Sequence, residues 1–387
     1  MTSYQTFSTY RPARVAEVGS AQDVRAAVRQ AVAEGLPVAV RATGHGLPPY
    51  GRSGVLVDTS GLRGLTVDPV ARLARAEAGV RWAEVVAAAA PHGLAPLSGS
   101  APRVGVVGYT LGGGLSVLGR TFGWAADRVR AVEVVTADGE LRRTGPGEEL
   151  FTALLGGGVG LGVVTAMTFE LVEVPELWGG RLVFPDAAAV LPAWVAWTRS
   201  LPESLTSAFV VLPTPGPRHA HVRVAQVGPG GADLVAPLRA LGPVGDTLRP
   251  LPLTEVGSIA DDPTEPAPFS SSHRLLRAVD EVAVRRILAH LPAGPQVLEL
   301  RHLGGALAKP GGNAVPAREA AYLVGLTTIA PTPESLAARD ALLEALAPWA
   351  DPRRLRTFET DPARARPSRA VLDLRARLDP ERVFGQE

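Results

Sequence analysis

The sequence predicts an α+β protein of two lobes, and three observations carry that expectation. A length of 387 residues exceeds one average domain, so two or three cores are expected. Glycine is dense from residue 97 onward and thins beyond about residue 179, where proline, alanine and leucine take over, which places a boundary near Trp178. Before that boundary short strands alternate with helices. After it strands and helices come in runs, the pattern of an antiparallel sheet covered by helices.

Ser20 opens "SAQDVRAAVRQAVAEG", where a hydroxyl N-cap, an acidic residue three positions on and a closing Gly35 frame one amphipathic helix. "LPVAVRA" reads as a short buried strand and "GVLVDTSGL" as a strand with a turn. The stretch between them, "VRATGHGLPPYGRSG", therefore leaves the carboxyl end of a strand, where α/β sheets gather ligands. "RWAEVVAAAAPHG" gives a second helix, ended by Pro91 and Gly93. Glycines 99, 105, 108, 112, 113, 114, 119 and 123 then punctuate an apolar stretch, a sign of close backbone approach. "AVEVVTADGELRRT" is expected to form a hairpin with Asp138-Gly139 as a two-residue turn. "ELFTALLGGGVGLGVVTAMTFELVEV" reads as a helix start, a glycine run and a long alternating strand.

Beyond the boundary "HAHVRVAQV" and "QVLELRHLGG" read as strands, and "RLLRAVDEVAVRRILAHL" and "PESLAARDALLEALAPW" as helices. "RPLPLTEVGSIADDPTEPAPFSSS" reads as a long loop, and "RPSRAVLDLRARLDPERVF" as a helix with a strand-like end.

Composition excludes several classes of function. Lys and Arg total 39 against 38 Asp and Glu, so no broad field gathers nucleic acid or anionic membrane. Lys309, the only lysine, lies in the loop-like "LAKPGG", which argues against Schiff-base chemistry. With no cysteine, disulfides, thiol nucleophiles, Fe–S clusters and Cys-based zinc sites all fall away. The opening "MTSYQTFSTYRPARV" has neither a basic cluster nor an apolar core, which argues against a signal peptide, and no apolar run reaches membrane-spanning length. A soluble cytoplasmic protein without nucleic-acid or membrane partners is expected. His219 and His221 have no third ligand nearby and read as surface strand residues, so no metal is expected.

Two glycine-rich stretches invite comparison with a dinucleotide-binding turn, which needs G-x-G-x-x-G after a strand and opening a helix. "GGGVGLG" leads into a strand pattern, and "GHGLPPYG" leads through two prolines to a strand, so neither qualifies. Arg41 to Gly46 instead suits either a phosphate cradle of successive backbone N–H groups or a plain turn carrying a histidine, and spacing alone leaves both open.

"PVAVRATGHG", "GSAPRVGVVGYTLGGGLSVLGRTFGWAADRV" and "GGGVGLGVVTAMTFELVEV", with "ELRHLGGALA" and "RLDPERVF" further on, resemble the berberine-bridge-enzyme-like oxidoreductases of the vanillyl-alcohol-oxidase, or PCMH, type. The resemblance is strong over 15–178, moderate over 296–325 and returns in the last fifteen residues. It implies an FAD-binding domain of two subdomains at 1–178, a substrate domain at 179–355 and a segment, 356–387, that returns to the first. By the same resemblance, Arg41, Ala42, Thr43, Gly44, His45 and Gly46 wrap the FAD pyrophosphate, and His45 bonds covalently to the flavin 8α-methyl group. A neutral imidazole is a competent nucleophile near neutral pH. Pro48 and Pro49 are expected to stiffen the exit from this loop.

Ala101 stands where many relatives carry a second, cysteine anchor, so His45 is expected to be the sole link. Val104 matches a position beside the flavin C4a where valine leaves room for oxygen. Gly105 and Gly108 belong to the same stretch, and Tyr109 is expected at the flavin N1 and C2=O edge, with core packing as its alternative. Backbone N–H groups from Thr110 through Gly112, Gly113 and Gly114 are expected to face the ribityl chain and ring. Gly158, Gly162 and Val163 match the segment lying along the cofactor, with Leu161 in place of a common aromatic residue.

Such chemistry needs a proton acceptor on the substrate-domain face over the flavin. Alternation along "LELRHLGG" sends Glu299, Arg301 and Leu303 to one face and Leu300 and His302 to the other. Glu299 or Arg301, with Tyr322 behind them and Tyr109 opposite, are the catalytic candidates; a salt-bridged sheet face is the alternative. The C-terminal stretch lacks the tyrosine and asparagine that relatives carry, so the family's usual base does not transfer. The expected function is an FAD-dependent oxidase that takes hydride from a C–H bond of a small, largely apolar, secondary-metabolite-like substrate to flavin N5 and passes the electrons to O2. The alternatives are a dehydrogenase with another acceptor, or a flavin-binding scaffold that has lost turnover.

Overall fold

The computed structural model describes residues 3–7, 11–46, 54–157, 160–213, 218–291 and 294–385. The chain begins with β1 (Arg14–Glu17), α1 (Ala21–Ala33), β2 (Val38–Arg41) and β3 (Val55–Asp58), and β3 pairs in parallel with both other strands. The Ser20 hydroxyl accepts from the Asp23 N–H at 3.2 Å and Gly35 exits the helix with φ 62°, so the expected frame of α1 is the observed one. The carboxyl end of β2 then opens into the His45 loop. Pro48 and Pro49 lie outside the described residues.

Next come β4 (Leu65–Asp68), β5 (Leu73–Glu77), α2 (Trp82–Ala89), β6 (Leu94–Ala95), α3 (Val106–Leu111) and α4 (Gly119–Phe122), followed by β7 (Val129–Val135), β8 (Leu141–Thr144), α5 (Glu149–Gly157), β9 (Val163–Glu170) and β10 (Val172–Glu173). Five of the strands form an antiparallel sheet in the order β4-β5-β9-β7-β8, while β10 pairs with β6. One core gathers Val28, Trp82, Val132 and Leu154, and it also takes Val371, Leu374 and Phe384 from the far end of the chain. The β7–β8 turn is longer than expected. Thr136 pairs with Glu140, Gly139 donates its N–H to the Thr136 carbonyl at 2.9 Å, and Gly139 adopts φ 73°. This is the three-residue loop that places glycine in the left-handed region.

The remaining elements are β11 (Leu177–Phe184), α6 (Ala187–Thr198), β12 (Leu205–Val211), β13 (Ala220–Val227), α7 (Gly231–Leu234), α8 (Ala236–Arg239), β14 (Gly245–Asp246), β15 (Arg249–Pro250), β16 (Phe269–Leu276), α9 (Glu281–Ala289), β17 (Gln296–His302), β18 (Tyr322–Ile329), α10 (Pro333–Ala345) and α11 (Arg369–Leu378). An eight-stranded sheet runs β14-β11-β13-β12-β17-β18-β16, with β15 beside β11. Residues of α6, α9 and α10 bury one face of it, through Trp194, Ile287 and Leu343 against Phe209, Leu300 and Val324.

Two expectations fail here. The "RLL" at the start of the expected helix is strand, because β16 finds eight partners on β18, and α9 starts only after the Asp280 cap. The expected long loop carries β15 and a short helical turn over Leu253–Ile259. Among the described residues no helix is long and apolar enough to cross a membrane.

Candidate active site

The loop after β2 is held by its neighbours. The Arg41 guanidinium sits 2.5 Å from the Asp58 carboxylate across the β2–β3 pair, so its charge is spent inside the sheet. Thr43 Oγ1 lies 2.8 Å from His45 Nδ1, and the Tyr4 ring stacks on the imidazole at 4.0 Å between centroids. Burial, reinforced by Arg81 and Arg103, lowers the His45 pKa to about 4, so the ring is neutral at pH 7. Gly44 adopts φ 74°, its carbonyl accepts from Ser3 Oγ and the Gln5 N–H, and a Cβ on it would stand 2.3 Å from Ser3 Oγ. Its small size thus admits residues 3–5. Thr43 Cγ2 in turn would lie 3.5 Å from a Cβ on Gly105, which sets the loop against the start of α3.

Tyr109 on α3 packs its ring edge-on to Trp82 at 5.4 Å. Its hydroxyl is buried without a partner among the described residues, and burial raises its pKa, only partly offset by Arg301, so the phenol stays protonated. Ala101 and Val104 close a tight turn before the helix, the Val104 N–H donating to the Ala101 carbonyl at 3.2 Å. The backbone donors differ from expectation. Gly112 and Gly113 give their N–H groups to the Gly108 and Thr110 carbonyls, and the Thr110 hydroxyl bonds back to Val106, because the helix continues to its last turn. Gly114 adopts φ 71° and lies against the Tyr109 ring and Ala125. Gly162 and Val163 also differ. A Cβ on Gly162 would come within 2.4 Å of the Val135 carbonyl, and Val163 is fully buried in the β7–β9 pair, so sheet packing accounts for both. Gly158 lies outside the described residues.

Facing α3 is the side of the large sheet that α6, α9 and α10 leave bare. Arg223, Ala208 and Arg301 occupy one row across β13, β12 and β17, and Glu299 stands one row on. The small Ala208 side chain leaves space for both guanidinia to reach Glu299, Arg301 at 2.8 Å and Arg223 at 3.3 Å. Burial alone would raise the Glu299 pKa; Arg301 and Arg223 outweigh it and hold the carboxylate below its ordinary range. A cavity of about 50 Å³ opens over this face, walled by Glu299, Arg301 and Thr206 on one side and by Ser100, Leu115 and Val117 on the other. Tyr322 is a correction. It projects from the helix-covered face, where its hydroxyl is 2.7 Å from Thr198 Oγ1, because it pairs with His302 and not with Arg301.

Several participants carry no motif. Phe358 lies under the Arg301 guanidinium at 4.6 Å and holds φ 69°, a strained conformation for a bulky residue. Its neighbour Thr357 donates to the Gly112 carbonyl at 2.9 Å. Asp262 accepts from the Ser100 hydroxyl at 2.5 Å and pairs with Arg223. Only the strand pattern of "HVRVAQV" bears on Arg223; the others depend on contacts between residues 39 to 245 positions apart in the chain.

The residues present fit FAD. Arg81 Nε, Trp82 Nε1, Tyr109 Oη and Arg301 Nε are buried donors without partners among the described residues, and buried donors are normally satisfied. Among the described residues a Cβ on Gly108 would meet nothing within 4 Å, so the backbone there lies open to a flat group.

Comparison with known proteins agrees. Residues 12–145 match the family of FAD binding domains. An FAD-dependent monooxygenase of Fusarium proliferatum is 36% identical over 219 residues, 55% of this chain and 40% of that protein. The (R)-6-hydroxynicotine oxidase of Paenarthrobacter nicotinovorans is 32% identical over 197 residues, 50% of this chain and 40% of that protein. The matches thus span well under half the length of these relatives. The structure of Physcomitrella patens BBE-like 1 superposes with a TM-score of 0.89 at 20% identity, covering 99% of this chain and 92% of the other. The fold is that of the berberine-bridge-enzyme-like proteins.

Proposed function

We propose that this chain, which carries an FAD binding domain on a berberine-bridge-enzyme-like fold, is an FAD-dependent oxidase of small organic molecules. One observation carries the reading: the buried Tyr109 hydroxyl lies near enough to the Arg301–Glu299 pair for Arg301 to act on its pKa, and the His45 loop packs through Thr43 on the start of the helix that carries Tyr109. The activities of the relatives, a monooxygenase and an oxidase, support a reaction that uses oxygen. The division into lobes at about 178 and 355, and a cytoplasmic setting suited to a cysteine-free chain, belong to the same reading.

In this reading residues 42–46 and the start of α3 hold the cofactor, with His45 as its covalent anchor and Ala101 removing any second one. Bound FAD supplies an acceptor for hydride at N5 and a route for two electrons to dioxygen. Tyr109, kept protonated by burial, donates a hydrogen bond to an acceptor on the ring edge. Glu299, kept ionised by its two arginines, takes the substrate proton, while Arg301, braced by Phe358, orients the substrate's oxygen or nitrogen. The cavity wall combines Leu115, Ile259 and Leu303 with Thr206, Arg223 and Glu299, which suits a molecule of mixed polarity more than a wholly apolar one.

Anaerobic mixing with a panel of secondary alcohols and amines, followed by air, tests the reading. At least one compound should bleach the flavin absorbance, and air should restore it with one peroxide per substrate oxidised. Bleaching that air restores only slowly would replace the oxidase by a dehydrogenase, and no bleaching by any compound would remove turnover.

A further inference from the structure

We infer that residues 3–6 form a strap that positions His45 for its bond to the cofactor, with Tyr4 as the positioning residue; the inference rests on the covalent FAD reading above. The strap is tied on both sides. Toward the loop, Ser3 Oγ and the Gln5 N–H both donate to the Gly44 carbonyl, at 2.8 and 3.0 Å. Toward the substrate lobe, the Ala267 N–H donates to the Tyr4 carbonyl at 3.0 Å, the Thr6 N–H to the Ala267 carbonyl at 3.1 Å, and Tyr4 Oη to the Pro263 carbonyl at 2.5 Å.

Those backbone bonds alone would fasten the segment. Tyr4 does something further, because its ring lies nearly parallel to the imidazole, 18° between planes, and covers one face. Thr43 engages Nδ1 in the ring plane. With one face stacked and Nδ1 tied, the imidazole is held in place, and among the described residues Nε2 is the nitrogen without a partner. Gly44 is shaped for this arrangement, since any Cβ there would collide with Ser3.

Nε2 of His45 forms a bond to the 8α carbon as that carbon loses one hydrogen; the imidazole loses the proton of its N–H. Two electrons and two protons leave in total, and dioxygen takes them as hydrogen peroxide. The strap supplies orientation to this step and no atoms.

The test follows acid-stable flavin over time after FAD is added to purified protein. Tyr4→Phe keeps the stacking ring and is expected to match the wild type. Tyr4→Ala and Tyr4→Leu, the second of which keeps bulk and every backbone bond, are expected to be slower on the order of tenfold. The wild-type flavopeptide should carry its flavin on Nε2. Wild-type rates in Tyr4→Ala or Tyr4→Leu, or a bond to Nδ1, would overturn the inference. Wild-type protein that forms no acid-stable flavin overturns the covalent reading and the inference with it, an outcome recognisable because every variant then behaves alike.

Discussion

Glu299 shows how one residue sets two properties. Its side chain is 18% exposed and lies between guanidinia that are 15% and 12% exposed, so removing the carboxylate leaves two charges facing each other in a poorly solvated place. Glu299→Gln should slow flavin reduction by about 10²-fold or more, and should lower stability by roughly 3 kcal/mol, the usual scale for breaking a buried pair. Stopped-flow reduction and a thermal melt measure the two separately; unchanged reduction would take the proton-accepting role away from Glu299. His273 makes a prediction about pH. It is fully buried, its Nε2 accepts from the Leu355 N–H at 3.0 Å, and burial, aided by Arg354 and Arg274, lowers its pKa from 6.5 to about 3. Between those values the unfolded chain binds a proton that the folded chain refuses, so stability falls as pH drops from about 6.5 toward 3. In urea melts between pH 6.5 and 4.5, His273→Gln should lose about 1.4 kcal/mol per pH unit of that slope. An identical slope would show that His273 protonates without cost.

Among the elements, glycines separate by what their missing side chain makes room for. Gly162→Ala would drive a Cβ into the Val135 carbonyl at φ 145°, and should cost about 2 kcal/mol or more in a urea melt. Gly108→Ala meets open space inside a helix, so the apoprotein should gain up to about 1 kcal/mol. The same change should weaken FAD retention, and a Gly108→Ala protein that keeps its flavin would move the cofactor off this face of α3. From sequence both positions looked alike, because a glycine pattern reports close approach without naming the neighbour. Local signals were readable where they were complete: Ser20, Asp23 and Gly35 framed α1 on their own. They misled where tertiary pairing decided, as in β16, whose "RLL" has helical periodicity but lies paired to β18. The turn at Asp138-Gly139 was recognised as a turn, yet its length depended on the Thr136–Glu140 pair across it.

At the scale of the molecule, two lobes were readable from composition and element order, and the contact between them was not. Arg120 on α4 illustrates this. It is 4% exposed, and its guanidinium donates to the carbonyls of Leu205, Leu303, Leu201 and Pro202 and to His302 Nε2. Nothing in "LGRTFG" marks it, since all its partners arrive from at least eighty residues away. Arg120→Met should leave buried carbonyls without donors and cost about 3 kcal/mol. Arg120→Lys should recover only part of this, because three donors on a point charge do not reproduce a planar fork. A melt within experimental error of the wild type would show that the lobes are held elsewhere. The Arg223–Ala208–Arg301 row was equally hidden, because alternation assigns faces to residues but register comes only from folding. In the proposed reading this architecture holds FAD with His45 as its one anchor, and acid precipitation of the purified protein tests that reading. Flavin colour should stay with the wild-type pellet and pass to the supernatant in His45→Ala; colour released from wild type would contradict the anchor, and a protein that never binds flavin would contradict the whole account.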